Sequence, residues 1–372
     1  MPKPLAYFKI LDLSRILAGP FATQLLADLG AEVIKVEPLT GDPTRGWGPP
    51  FEDGEEGESA YFRCANRGKK SMLMDLAEPE ARRRLEALMA SADVLVENFL
   101  PDSAEHLGLT WERIHDRFPK LIVASIRGFA SDVPAGRRPG YDFIIQAESG
   151  WMSITGEPAG RPMKVGVALA DVLASLYLAN GIQASLLHRE RTGEALHVEV
   201  PLLEAALAGL VNVGAGALMT GEAPQRLGNA HPHIVPYQTF RCGDHEVAIG
   251  VGSDPQFEVL ALWAGLDLER NPHWRLNRGR VKDRDRLVAE LDRHFLALSA
   301  AEALAFCDLH AIPASPVRTV EDVLFRQAGR IHHLIQTLYD EDAGRMVPVL
   351  ASPILLNDER ACSDLPPPRW PE

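Results

Sequence analysis

The chain has 372 residues, 46% hydrophobic and 24% charged, with a formal net charge of −13. This is the composition of an ordinary soluble globular protein, long enough for one large domain and a smaller one. The acidic balance argues against a nonspecific nucleic-acid binder, which needs a basic footprint. No uninterrupted apolar run reaches the length of a membrane span, and the opening MPKPLAYFKILDLS lacks the apolar core and cleavage site of a signal peptide, so a cytoplasmic protein is expected.

From the N-terminus, strands and helices alternate. Ile10–Leu13 reads as a short strand, and Pro20–Leu29 as a helix with a proline suited to its first turn and Gly30 at its end. Glu32–Val36 is a strand, Ser71–Leu76 is extended, Glu78–Ser91 is helical and Val94–Val96 is a strand. Trp111–Phe118 is then helical and Leu121–Ile126 a strand. This rhythm predicts a mostly parallel sheet covered by helices. The turn SRILAGP after the first strand lacks GxGxxG, so a dinucleotide site is not supported.

Val172–Glu190 has apolar residues at helical spacing, Leu196–Val200 is a strand, and Leu202–Met219 reads as one further apolar helix. Gly221–His233 is polar and proline-bearing, as a linker or loop is. Glu246–Val251, a strand, and the helices Asp254–Gly265, Lys282–Leu298 and Ala301–Leu309 predict a smaller α/β domain. Leu334–Tyr339 and Met346–Leu350 predict a hairpin, and the tail LPPPRWPE is irregular.

Asp171 stands where VGVALA ends and the long apolar helix begins. There an Asp is a natural N-cap, accepting the first free backbone N–H groups. The same junction can aim a carboxylate at a ligand, the helix terminus favouring its ionised form. Spacing leaves both roles open. Two basic clusters, Arg63, Arg67, Lys69 and Lys70 in RCANRGKKS and Arg137 with Arg138 in AGRRPGYD, read by themselves as solvated faces. Cys64, Cys242, Cys307 and Cys362 form no CxxC pair, and His231 and His233 have no third ligand nearby, so no metal site is expected. Asp12 and Glu37 read as structural, while Glu148 fits a surface, capping or site-adjacent role.

The ordered segments LDLSRILAGPFATQLLADLGAEVIKVE, RGWGPPF, NRGKKS, VENFLP, RPGYDFIIQAESG and VALADVLASLYLANGIQASLLHRERTG resemble family III CoA-transferases, the CaiB–BaiF family, through most of the chain. RLGNAHPHIVPYQTF brings the resemblance nearest to the succinyl-CoA-dependent dicarboxylate transferases of succinate–hydroxymethylglutarate type. The resemblance implies a Rossmann-like α/β large domain built from both ends of the chain, a smaller α/β domain between them, and an interlocked homodimer. The expected divisions are 1–200 for the first part of the large domain, 201–234 for a helix and linker, 235–312 for the small domain, and 313–372 for the return linker and the rest of the large domain. CoA and acyl-CoA enter as substrates, with no tightly bound cofactor.

In this resemblance Asp171 matches the family's nucleophile, which forms a mixed anhydride and then an aspartyl-CoA thioester. Arg15, Leu17 and Ala18 match a loop that meets CoA, Lys69 and Lys70 a basic motif near its phosphates, and Asn98 and Phe99 a loop at its adenine end. Leu17 replaces the Gln of oxalate-using formyl-CoA transferases, and His106 and Pro139 replace basic residues of those enzymes, so oxalate specificity is not expected. Arg45, Tyr141, His231 and His233 are assigned to the acyl pocket, the histidines and Arg45 toward a distal carboxylate. The family's racemases carry His in G-H-D where this chain has Gly140-Tyr141-Asp142. A tyrosine with a pKa of about 10 is a poor proton shuttle at neutral pH, which favours transfer over racemisation. A racemase or epimerase of the same family and a non-catalytic CoA-binding protein are the competing readings.

Overall fold

The computed structural model describes residues 3–52, 54, 57–326 and 333–370. They form two compact units, one within Met1–Trp151, Lys164–Val211 and Arg330–Glu372, the other within Met152–Met163 and Asn212–Gly329.

The first unit holds six strands, β1 (Lys9–Asp12), β2 (Glu32–Glu37), β3 (Lys69–Leu73), β4 (Val94–Glu97), β5 (Ile122–Arg127) and β6 (His197–Pro201). All pair in parallel, in the order β3-β2-β1-β4-β5-β6. Side chains alternate across the sheet. Ile10, Val94 and Ile122 pack with Ala22 and Leu26 of the helix Ala18–Asp28 and with the helix Leu169–Thr192. Their neighbours Leu11, Leu95 and Val123 pack with Leu85, Met89 and Ile114 on the other face. The central strands β1, β4 and β5 are short, mostly apolar runs because both faces are covered. Gly19 lets the first helix approach the end of β1, since a Cβ there would lie 2.2 Å from Ser14 Oγ.

The long helix buries Ala174, Leu178, Ile182 and Leu186 along one stripe and ends at Gly193, whose φ of 81° suits glycine. Each large aliphatic in that stripe contributes about 1.5–3 kcal/mol by burial. A hairpin of β10 (Ile335–Asp340) and β11 (Arg345–Leu350) also belongs to this unit, in antiparallel register Ile335↔Leu350.

The second unit has an antiparallel sheet of β7 (Tyr237–Arg241), β8 (Glu246–Gly250) and β9 (Ala314–Pro316). Phe240, Phe257, Trp274, Leu287, Leu291 and Phe295 make its core. The helix Ala300–Leu309 opens with a Ser299–Glu302 capping box.

Three sequence expectations change, the first being the small domain's end at 312, since β9 at Ala314–Pro316 pairs with β8 in the second unit. Leu202–Met219 is two helices, Leu202–Ala208 and Val211–Thr220. The interruption contains Gly209, a poor helix former, whose added Cβ would meet Leu173 and Trp151 at 2.8 Å. Met152–Met163, expected in the large domain, joins the second unit, where the Arg226 guanidinium donates to the carbonyls of Ser153, Glu157 and Gly160. Among the described residues no single helix is long and apolar enough to cross a membrane.

Candidate active site

The strand order turns back at β1, because β2 and β3 lie on one side of it and β4 to β6 on the other. Open parallel sheets bind ligands outside the carboxyl ends of the strands at such a switch point. The loops leaving β1 and β4 are tied together there. Arg15 N–H donates to Asn98 Oδ1 at 3.0 Å, and Asn98 Nδ2 returns a bond to the Arg15 carbonyl at 2.8 Å. The Arg15 guanidinium lies 5.8 Å from the centre of the Phe99 ring. A cavity of about 240 Å³ opens at this place, and Arg15, Leu17, Ala18, Asn98, Phe99, Tyr141 and Asp171 all line it. Seven residues singled out in the sequence thus come together. Gly128 and Gly140 bring the Tyr141 segment in, for a Cβ on Gly128 would fall 2.7 Å from Gly140 Cα. Tyr141 lies at this cavity with its side chain over half exposed.

Asp171 is not the cap of its helix. The helix starts at Leu169, so Asp171 is the third residue of the first turn. The cap position is Ala168, which has no side chain to bond with, and Asp142 Oδ1 accepts the Ala170 N–H instead at 2.9 Å. Asp142 is itself held by Gln146 Nε2 at 2.7 Å. Asp171 is thereby released from capping. It is 6% exposed, and no side-chain hydrogen bond or ion pair to its carboxylate forms among the described residues. Burial, and then the charge of Asp142, push it up to about 7. A desolvated carboxylate in a cavity and without a cation is equipped for nucleophilic or acid–base work.

The basic residues assigned to ligands behave otherwise. Lys69, expected near the phosphates, is fully buried and donates to Asp12 Oδ2 at 2.9 Å, the Pro20 carbonyl at 2.8 Å and Asn66 Oδ1 at 2.8 Å. All three ammonium protons are used inside the fold, which corrects that assignment. Arg45, expected in the acyl pocket, is also corrected. Its guanidinium makes a two-pronged pair with Glu37 at 2.7 and 2.8 Å, meets Glu58 at 2.7 Å, and stacks 3.7 Å from the Phe62 ring centre. Lys70 is exposed, pairs with Glu32 at 3.2 Å and does not line this cavity. His231 and His233 lie in the second unit, where the His233 N–H donates to His231 Nδ1 at 3.0 Å. Glu148 pairs with Arg138 at the surface, 3.3 Å apart. Among the described residues no three His, Cys, Asp or Glu side chains are grouped to hold a metal.

Two residues were missed in the sequence. Arg127, at the carboxyl end of β5, lines the cavity and pairs with Glu97 at 2.7 Å. Its place at the end of a parallel strand was the available signal. Tyr61 is pushed up to about 12 by burial and next by the charge of Asp171, and its ring meets Trp47 edge-on at 5.2 Å. Nothing local in AYFRC marked it.

The chain is 39% identical to a succinate–glutarate CoA-transferase of Agrobacterium fabrum, covering 99% of this chain and 93% of that protein. It is 41% identical to a mouse succinyl-CoA:glutarate CoA-transferase, over 89% of this chain and 76% of the relative. The crystal structure of a CaiB/BaiF family protein from Brucella suis superposes with a TM-score of 0.85 at 39% identity, covering 99% of this chain and 96% of that one. The sequence matches CoA-transferase family III over residues 5–371. Together with the six-stranded parallel sheet, this establishes that the chain belongs to CoA-transferase family III and is a CoA-transferase.

Proposed function

We propose that this protein moves CoA from succinyl-CoA to a dicarboxylic acid, with Asp171 as the nucleophile. The observation that carries the reading is the buried carboxylate of Asp171, without a cation partner among the described residues, in the switch-point cavity. The names of the two relatives, which join succinate or succinyl-CoA with glutarate, support the substrate class.

The steps balance without water. A carboxylate oxygen of Asp171 attacks the thioester carbonyl, the C–S bond breaks, and CoA thiolate leaves a mixed anhydride. The thiolate attacks the Asp171 carbonyl carbon, forming the aspartyl-CoA thioester and releasing succinate. The acceptor carboxylate attacks that thioester and expels thiolate, which then takes the acceptor acyl group and returns Asp171 as a carboxylate. Desolvation favours the first step, because a carboxylate stripped of water is the stronger nucleophile, and positioning makes it intramolecular in effect. In this reading Arg15, Leu17, Ala18, Asn98 and Phe99 hold CoA. Tyr141 holds the acyl end, and the working form is an interlocked homodimer.

The test is incubation with succinyl-CoA and a panel of free acids, following new thioesters by mass spectrometry. Conversion of dicarboxylic acids and trapping of Asp171 by hydroxylamine are expected. No conversion, or full activity in Asp171→Ala, overturns the proposal. Deuterium uptake at the α-carbon of a branched acyl-CoA would point to racemisation instead.

A further inference from the structure

Ile16 has a backbone φ of 76°, in the left-handed region that a β-branched residue rarely adopts. It sits between Arg15 and Leu17 in the loop leaving β1, and all three line the cavity with Asp171. Such a conformation persists only where its surroundings over-determine it. Here the restraint comes from buried charges. The Ile16 N–H faces both oxygens of Asp42, 3.2 and 3.4 Å away. Asp42 is fixed in turn by Lys35, whose ammonium lies 3.0 Å from it, with both side chains wholly buried. Lys35 also donates to the Ser14 carbonyl at 2.9 Å, so one ion pair holds the loop at two points. Asp42 further accepts from Thr44 N at 3.0 Å and Thr44 Oγ1 at 2.7 Å, and its own N–H donates to Glu37 at 2.8 Å. On the far side, Ser175 Oγ bonds the carbonyls of Ala18 and Asp171, both at 2.7 Å. A continuous chain of contacts thus runs from Lys35 through Asp42, Ile16 and Ala18 to the turn that carries Asp171.

We propose that Asp42, held by Lys35, is a positioning residue for the transfer reaction, clamping Ile16 in the left-handed conformation that presents Arg15, Leu17 and Ala18 to the cavity. This rests on the proposed function of that cavity. If the clamp is removed, Ile16 relaxes toward negative φ and the loop turns away. If residue 16 is glycine, the left-handed conformation no longer needs a clamp.

The experiment compares two charge-free replacements of the buried pair in the full chain. Lys35→Met with Asp42→Asn keeps an oxygen facing the Ile16 N–H. Lys35→Met with Asp42→Leu does not. The asparagine pair is expected to retain kcat/KM for succinyl-CoA within about fivefold of the parent, and the leucine pair to lose on the order of 50-fold, a range typical of small misplacements at a reacting centre. Adding Ile16→Gly to the leucine pair is expected to restore about fivefold or more. Equal rates for the two pairs, or no restoration by Ile16→Gly, overturns the proposal, since a merely structural defect in the Asp42 turn would not respond to residue 16. If the leucine pair does not fold, Lys35→Met with Asp42→Ser, whose hydroxyl is one bond shorter than the carboxylate that faces the Ile16 N–H, is judged by the same criteria. If the parent transfers no CoA, the functional reading fails by itself. The clamp is then judged by amide exchange over 13–18, expected to be faster in the leucine pair than in the asparagine pair, with equal exchange overturning it.

Discussion

Two sets of carboxylates in the first unit are buried alike and treated oppositely. Around β1 and β2, Asp12 lies 2.9 Å from Lys69, Asp42 lies 3.0 Å from Lys35, and Glu37 lies 2.7 Å from Arg45. At the cavity, Asp171 has no such cation among the described residues, and the charge that acts on it is that of another carboxylate, Asp142. Burial alone would raise the Asp12 carboxyl, but the ammonium groups of Lys69 and Lys35 and its hydrogen bonds outweigh that and hold it at about 2, whereas Asp171 stands at about 7. Burial therefore does not separate scaffold from chemistry. Pairing does: a desolvated charge with partners is a strut, and one without them is reactive.

The sharpest way to break this contrast is at Asp171. Asp171→Asn keeps the shape and removes the nucleophile, and transfer is expected to fall about 10³-fold or more with the circular dichroism spectrum unchanged. A loss under tenfold would return Asp171 to the scaffold. On the other side, Lys69→Met takes from buried Asp12 its direct ion-pair partner, leaving it the Ser14 and Thr23 hydrogen bonds and the more distant charge of Lys35. Urea unfolding should then show a loss of about 3–5 kcal/mol. A change under about 1 kcal/mol would mean that Lys69 is no strut.

The pH dependence separates the two sets again. Only ionised Asp171 attacks, so kcat/KM should rise about tenfold per pH unit below pH 7 and level off above it. Stability moves the other way. The folded pKa of Asp171, about 7, exceeds its ordinary value of 3.8, so the folded state holds a proton that the unfolded state has released. That contribution is fully present below about pH 4 and is lost as pH rises through 7. Thermal melts of Asp171→Asn should lack this fall, and melts that track the parent at every pH contradict the shift. The smallest effect belongs to Lys70, whose ion pair with Glu32 is exposed. Lys70→Ala should cost no more than about 0.5 kcal/mol, and the KM for succinyl-CoA should change less than about threefold. A tenfold rise in KM would restore Lys70 to the phosphate site.

Much of the sheet was legible because its signals are local. The strands β1, β2, β4 and β5 and the helix Leu169–Thr192 depart from their sequence readings by up to three residues at either end, since short apolar runs and helical spacing mark them directly. The break after Ala208 was hidden because the apolar pattern continues past it, while Leu173 and Trp151 crowd Gly209 from other segments. β7 was overlooked because its residues are mostly exposed or half-buried, including polar Gln238 and Thr239, and it gains its place by pairing with β8. Lys69 and Arg45 were misread for one reason: a sequence displays a charge but not the partner that neutralises it.

By itself the sequence determined the β–α–β alternation, the family, and the set of segments that carry Arg15, Asn98, Tyr141 and Asp171, because these depend on residue type and short spacing. Only the tertiary structure decided what each charge does. Asp142 comes from another helix to satisfy Ala170, which frees Asp171 from capping. Lys69 and Arg45 are spent on Asp12, Glu37 and Glu58, while Asp171 is buried with no cation among the described residues. Desolvation and pairing arise between segments far apart in the chain, so the reactivity of a carboxylate is settled by the contacts that folding makes around it.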